Sequence, residues 1–298
     1  MPKYKIADLT LNINEITDKK LSDSMLPYKI GDDEQGEPLI NVTIKYSSDH
    51  MPVPQKNIIA RRKISIYTMQ NGEMSVSICD TNINTVFAYI HFSRYYDSVY
   101  VQLLDVDEIY KRFNVSTECF AFNVFDIVFQ ILIQHYNGFV FHASSIVHNN
   151  MGIAFSANSG TGKSTHTAIW QRVYPNTVMI NDDAPAIRIV NKIPYIYGTP
   201  WAGTTGINSN IKVPLRAIVF LERGGINSIC ELSTLNCIKR FFAQVRKPVT
   251  SEHMSNVLNA LDCIIAKAGT YILECNMEDN AAVTVENYLF EKGKKTYV

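Results

Sequence analysis

The sequence predicts an α/β protein whose layered part is preceded by a β-rich N-terminal segment. Three patterns carry that expectation. Short runs of β-branched and aromatic residues fill the chain up to about residue 105, strand-like and helix-like segments alternate from about residue 139, and a glycine-rich loop joins an apolar strand to a helix within 152–172. The expected domains are residues 1–105 and residues 106–298, the second beginning with a lead-in helix.

In the first segment the strand-like runs are 39–46, 63–69, 74–79, 86–92 and 98–104, separated by turn formers such as Gln70-Asn71-Gly72 and Asp80-Thr81-Asn82. The simplest arrangement is an antiparallel meander. Its dense rings (Tyr89, His91, Phe92, Tyr95, Tyr96, Tyr100) read as core rather than as a ligand-stacking face, because aromatics on strands usually pack inward. A helix is expected over 116–136, with Ser116-Thr117-Glu118 as its N-terminal cap and Asn137-Gly138 as its stop. Asn123, Asp126, Gln130 and Gln134 interrupt its apolar run, so it reads as a core helix and not as a bilayer span. Strands then follow at 139–147, 152–155, 178–180, 217–221 and 271–275, with helices at 163–172, 238–245, 255–267 and 280–290.

Composition narrows the function classes. Of 298 residues, 46% are apolar and 19% charged, enough apolar material for a large core and too much for a disordered chain. Twenty-eight basic residues balance 28 acidic ones, so there is no chain-wide basic field to hold nucleic acid or an anionic membrane, and neither partner is expected. Six cysteines (Cys79, Cys119, Cys230, Cys237, Cys263, Cys275) form no C-x-x-C pair and read as reduced thiols. The start, Met1-Pro-Lys-Tyr-Lys-Ile, has no apolar leader segment, which makes the cytoplasm the expected location.

The informative stretch is Gly152-Ile-Ala-Phe-Ser-Ala-Asn-Ser-Gly-Thr-Gly-Lys-Ser-Thr165. It contains a phosphate-loop (Walker A) pattern, Ala157-x4-Gly162-Lys163-Ser164, with Ala in place of the first Gly. The apolar strand before it and the helix after it are the setting that the pattern requires. There, the backbone N–H groups of Ser159, Gly160, Thr161, Gly162, Lys163 and Ser164 converge on phosphate oxygens, and the glycines permit close approach. Lys163 supplies positive charge to the β- and γ-phosphates and Ser164 a hydroxyl to Mg²⁺. One helix later, Val178-Met-Ile-Asn-Asp-Asp183 ends an apolar strand in two acids. Adjacent acids at a strand end also suit an exposed turn. The upstream loop tips the reading towards acids beside the γ-phosphate, where they hold Mg²⁺ or take a proton from an acceptor hydroxyl. His142, polar within an apolar strand, reads on these grounds as a core histidine before it reads as part of the site.

Taken together, Phe141-His142-Ala143-Ser144, Ser159-Gly-Thr-Gly-Lys-Ser-Thr165 and Asn181-Asp182-Asp183 resemble the HPr kinase/phosphorylase catalytic domain. They resemble the ATP-dependent phosphoenolpyruvate carboxykinases more distantly, and the HPr-kinase-like proteins of peptide-modifying systems most closely. The resemblance runs from Phe139 to the C-terminus. It implies that Lys163 binds phosphate, that Ser164 and Asp183 hold Mg²⁺, that Asp183 is also the general base, and that His142, 21 residues before Lys163, stands beside it. Asp182 is then a metal partner or an indirect support, and Thr165 joins the nucleotide-binding loop. HPr kinases carry Glu where this chain has Thr165, and a Glu-x-Arg-Gly segment where it has Tyr195-Ile-Tyr-Gly-Thr-Pro-Trp-Ala-Gly-Thr204. The phosphorylase reaction and recognition of HPr itself are therefore not implied.

The expected function is transfer of the ATP γ-phosphate, with Mg²⁺, to a serine or threonine hydroxyl of a peptide or small protein. A small-molecule hydroxyl kinase and a non-catalytic nucleotide sensor are the alternatives. The segment 197–205, with Trp201 as a large contact side chain, is the expected acceptor-side loop, and the N-terminal domain is expected to help recognise the acceptor. Self-association is left open.

Overall fold

The computed structural model describes residues 1–14, 16–31, 34, 37–49, 51–82, 84–104 and 120–291. The chain forms two compact units, Met1–His135 with Pro248–Met254, and Tyr136–Lys247 with Ser255–Val298. The expected boundary at 105/106 and the boundary between these units are separated by helix α2, described over Phe120–His135, which groups with the first unit. The cap expected at Ser116-Thr117-Glu118 and the residue Cys119 lie outside the described residues. Asn137, with φ 59°, turns the chain out of the helix.

The first unit is a nine-stranded sheet with a short helix, α1 (Lys19–Met25). Its strands are β1 (Lys3–Ile6), β2 (Leu9–Ile13), β3 (Lys29–Ile30), β4 (Leu39–Ser47), β5 (Ile58–Arg61), β6 (Ser65–Gln70), β7 (Glu73–Asp80), β8 (Thr85–Phe92) and β9 (Ser98–Leu104), in the order β3-β1-β2-β4-β9-β8-β7-β6-β5. The meander holds only from β5 to β9. β4 skips its sequence neighbour and pairs with β9 in parallel, and β2 pairs with β4 in parallel. The β6–β7 turn, Asn71-Gly72, has both residues at positive φ (54° and 84°), the two-residue geometry that fits the twist of a hairpin.

The second unit is mixed α/β. Its strands are β10 (Gly138–Val140), β11 (Ala143–His148), β12 (Met151–Ser156), β13 (Val178–Asn181), β14 (Ala186–Val190), β15 (Ile193–Tyr197), β16 (Lys212–Arg223), β17 (Ser228–Glu231) and β18 (Thr270–Cys275). Its helices are α3 (Lys163–Val173), α4 (Thr234–Gln244), α5 (Ser251–Lys267, of which residues from 255 belong here) and α6 (Asn280–Glu286), which runs into a π-turn at Asn287–Glu291. The path through the sheet is β10-β14-β15-β16-β12-β11-β13, with β18 on the other half of β16 and β17 beyond it. β12, β16 and β18 are mutually parallel and central. Side chains alternate across them. Ala154, Ile218 and Phe220 pack towards Phe241, Val257 and Leu261 of α4 and α5, whereas Ile153, Phe155, Ala217 and Val219 pack towards Ile169 and Trp170 of α3 and Val285 of α6. Covering on both faces explains why β12 and β16 read as unbroken apolar runs.

The sequence read 139–147 as one strand. The structure breaks it at Phe141-His142, where the backbone N–H groups leave the ladder for distant acceptors: Phe141 donates to Pro185 O (2.9 Å), His142 to Gln244 O (3.1 Å) and Ala143 to Asp183 O (3.1 Å). The segment changes partners there, from β14 to β12 and β13. Among the described residues no helix is long and apolar enough to cross a membrane, and Cys79, Cys230, Cys237, Cys263 and Cys275 are free thiols.

Candidate active site

Strand β12 ends at the buried Ser156, and the chain then runs through an exposed stretch, Asn158 to Gly160, into helix α3. Gly160 (φ 76°) and Gly162 (φ 117°) lie in the region that glycine enters without strain. Gly162 is the N-cap of α3. It offers no side-chain cap and the first turn carries no acid, so the N-terminal amides keep no side-chain acceptor. Ser164 and Thr165 are exposed on that turn, while Lys163 is buried. The loop thus exposes Ser164 and Thr165, with the Lys163 ammonium tucked beneath and the first-turn amides without a side-chain cap, a geometry suited to an anion.

Lys163 Nζ sits 2.9 Å from His142 Nε2 and 3.3 Å from Ala157 O, and His142 Nδ1 is 3.1 Å from Asp183 Oδ1. An ammonium has only protons to offer, so Nε2 accepts. The ring proton therefore stands on Nδ1 and is donated to Asp183. Ser156 Oγ donates to the His142 carbonyl at 2.8 Å and holds that backbone in place. Burial lowers the pKa of Lys163, against the raising influence of Asp183 and Asp182. The hydrogen bond from His142 holds the Asp183 carboxyl below the ordinary carboxylate value in spite of its partial burial, and the nearby Lys163 ammonium acts in the same direction. Lys163 is therefore a desolvated cation that the two acids only partly compensate, and an incoming anion would complete its environment.

The two acids occupy different surroundings. Asp182 is buried (6% exposed), and its Oδ1 accepts from Ser144 Oγ at 2.6 Å. Ser144 Oγ also lies 3.0 Å from Thr167 Oγ1, whose hydroxyl has the Ser164 carbonyl as another acceptor at 3.1 Å. Asp183 keeps 41% of its side chain open beside His142. The donors available to a cation are the Ser164 hydroxyl and these carboxylates, an all-oxygen set that suits a hard ion such as Mg²⁺. Among the described residues no cluster of three or more His, Cys, Asp or Glu side chains has metal-binding geometry, so phosphate oxygens would have to complete the coordination.

Sequence reasoning placed Asn181 in the acid motif without giving it a role, and missed Gln244 and Arg223. Asn181 is fully buried. Its Oδ1 accepts from the N–H of Asp183 (2.9 Å) and of Ala184 (2.7 Å), and its Nδ2 donates to Thr199 O (2.9 Å) and Trp201 O (3.2 Å). It folds the acid turn and ties it to the 199–201 segment. The signal for it is present in the sequence, an Asn opening a turn just before two acids. Arg223, at the end of β16, donates to Gly160 O of the loop at 2.7 Å. Trp201 is a correction: at 5% exposure, with Thr199 at 0%, it is packed inside as a brace for the acid turn and offers no contact surface. Gly203 (φ 60°) passes so close that a Cβ there would meet Asp183 Cβ at 2.9 Å.

The chain is thus a mixed α/β protein with a strand, glycine loop and helix beside a Lys–His–Asp chain. No family model and no curated protein matches the sequence. Among solved structures, the HPr(Ser) kinase/phosphatase from Coxiella burnetii is similar over 51% of this chain and 97% of its own, at 13% identity and a TM-score of 0.29. A likeness this distant does not decide the function, and the functional reading rests on the side chains.

Proposed function

We propose that this protein is an ATP-dependent kinase with an HPr-kinase-like phosphate loop, transferring the γ-phosphoryl group to an alcohol, a serine or threonine hydroxyl of a peptide or small protein. The observation that carries the reading is the continuous chain Lys163 Nζ–His142–Asp183, 2.9 and 3.1 Å, beside an exposed glycine loop that opens a helix. A purely structural lysine needs no such acid relay, and a nucleotide sensor needs no base. In this reading the amides of Ser159, Gly160, Thr161, Gly162 and Lys163 hold the phosphates, and the Lys163 ammonium swings from His142 to the β- and γ-oxygens. Ser164 and Asp183 would hold Mg²⁺, which when bound would neutralise charge building on the phosphate oxygens. The acceptor hydroxyl loses its proton to Asp183 Oδ as its oxygen bonds to γ-phosphorus. The bond from γ-phosphorus to the bridging oxygen breaks, and ADP leaves with that electron pair. His142 orients Asp183 through its Nδ1–H. Asp182, buried on Ser144, shapes the turn from behind.

The base of the nucleotide has a natural place. An apolar slot of about 270 Å³ opens behind Thr165, walled by Gly162, Ile169, Leu221 and Met277. Thr165, the residue after the loop serine, lines it together with Glu222 and Arg223.

Mg²⁺-ATP should raise the melting temperature of the protein, since the loop exists only in the folded state, and Lys163→Ala should remove most of that shift. Asp183→Asn should keep the shift and lose transfer by more than about 100-fold. Absence of any shift with millimolar Mg²⁺-nucleoside triphosphates would end this reading, and near-normal transfer by Asp183→Asn would remove the base from it.

A further inference from the structure

A second cavity, of about 820 Å³, opens between the loop, the end of β16 and helix α4, and shares Thr161, Leu221, Glu222 and Arg223 with the slot beside Thr165. It is built by helix periodicity. On α4, Cys237 and Phe241 are buried in the core, while Asn236, Lys239, Arg240, Ala243 and Gln244 recur at the 3- and 4-residue spacing of the opposite stripe and line the cavity. The stripe joins the reacting groups, because the Gln244 carbonyl accepts the His142 N–H at 3.1 Å and its side-chain amide meets Asn158 Oδ1 at 3.4 Å. The lining carries three cations, Arg223, Lys239 and Arg240, against one carboxylate, Glu222. Glu222 is already paired with Arg240, and Arg223 is turned onto Gly160 O. Lys239 is exposed and has no partner among the described residues.

From these residues, and resting on the kinase reading above, we propose that this cavity is the acceptor site and that it selects an acceptor bearing an anionic group, a carboxylate or a phosphate, next to the hydroxyl. With the base placed in the smaller slot beside Thr165, the larger cavity, which adds Lys239, Arg240 and the Gln244 contact to the His142 backbone, is left for the second substrate. A neutral hydroxyl compound would leave Lys239 and Arg223 without a counter-charge once it covered them. An anionic acceptor supplies that charge and is drawn in by it. The 197–205 segment, packed against the acid turn, gives up the role expected of it.

The test is phosphoryl transfer from Mg²⁺-ATP by the full chain. One arm uses serine peptides of equal length flanked by Glu, Gln or Lys, and the other uses glycerol 3-phosphate against glycerol, which separates a peptide carboxylate from a small phosphate source. The melting shift with Mg²⁺-ATP is measured in parallel. The anionic member of either arm should be preferred by about tenfold in kcat/KM, mostly through KM, which is what two partly exposed charge pairs supply. Lys239→Glu should erase that preference, with the nucleotide shift kept, and Lys239→Arg should restore it. A preference for neutral or basic acceptors, or no transfer to any anionic acceptor while the nucleotide shift persists, overturns the proposal and leaves nucleotide binding standing. Loss of the nucleotide shift in Lys239→Glu also overturns it, by assigning the cavity to ATP. Absence of the shift in the unaltered chain instead fails the kinase reading beneath it.

Discussion

Replacing Asn181 by Asp changes one atom in the most constrained residue of the acid turn. The shape is kept and the amide nitrogen becomes an oxygen that faces two carbonyls, Thr199 O and Trp201 O, formerly its acceptors at 2.9 and 3.2 Å. The other oxygen still accepts from the N–H groups of Asp183 and Ala184. In a site with no solvent exposure the introduced carboxyl keeps its proton, so its folded pKa rises above the unfolded value of about 3.9. The sign follows from proton counting. Below the unfolded value both states hold the proton, and the carboxyl O–H can serve one of the two carbonyls. The cost there is one lost hydrogen bond, about 1 kcal/mol. Above that value the unfolded chain releases its proton while the folded chain holds on, and stability falls by about 1.4 kcal/mol per pH unit until the folded pKa is reached. A rise of about two pH units makes the total about 4 kcal/mol at neutral pH, within the range for an uncompensated buried charge. Both tryptophans, Trp170 and Trp201, lie in the second unit, so their fluorescence during urea unfolding reports this region. Asn181→Asp should cost about 1 kcal/mol at pH 4 and about 4 kcal/mol at pH 7.5. An equal cost at both pH values, or one under about 1 kcal/mol at pH 7.5, would refute the hydrogen-bond assignment at Asn181.

Gly203→Ala should reduce transfer with nucleotide affinity unchanged. Its new methyl would press on Asp183 Cβ from 2.9 Å at a φ of 60°, and a crystal structure or a turnover assay showing no displacement or loss would contradict this. Trp201→Ala should cost about 3–5 kcal/mol in urea unfolding, as for a large buried ring, whereas an exposed contact residue would cost well under 1. Asp183 is held below the ordinary carboxylate value chiefly by the hydrogen bond from His142. Its base is therefore intact throughout the range above that value, and turnover should fall only as pH drops through the lowered pKa. His142→Ala removes that hydrogen bond and leaves the desolvation, so the acid limb of the ATP hydrolysis profile should move to higher pH. An unmoved limb would mean that His142 does not position Asp183.

What the sequence showed and what it hid divide along the distance between interacting residues. The glycine loop, the strand before it and the helix after it are one local unit, and they were legible because β12, the loop and α3 need only their own neighbours to be recognised. The hairpin of β14 and β15 was local too, yet went unread. Its two-residue turn is Asn191-Lys192, both at positive φ (50° and 63°) without the usual glycine, and Pro194 argues against a strand although it sits in β15 opposite Ile189. The break at His142 was invisible for a different reason: the acceptors that pull Phe141, His142 and Ala143 out of the ladder belong to Pro185, Gln244 and Asp183, and no pattern within an apolar run announces partners so far along the chain.

The pair Asp182-Asp183 shows where such reasoning stops and why. Period-two alternation sends adjacent residues leaving a strand to opposite sides, so a division of labour between the two acids follows from the sequence alone. Which acid faces which side does not. It depends on β11 lying beside β13, which brings Ser144 under Asp182, and on the strand break, which brings His142 to Asp183. The inward acid loses an oxygen to a hydroxyl and its access to solvent. The outward one gains a ring proton, a lowered pKa and an open face. In the proposed reaction a hydroxyl would reach only the second, and this difference in access, more than any difference between two chemically identical side chains, would separate the base from its support.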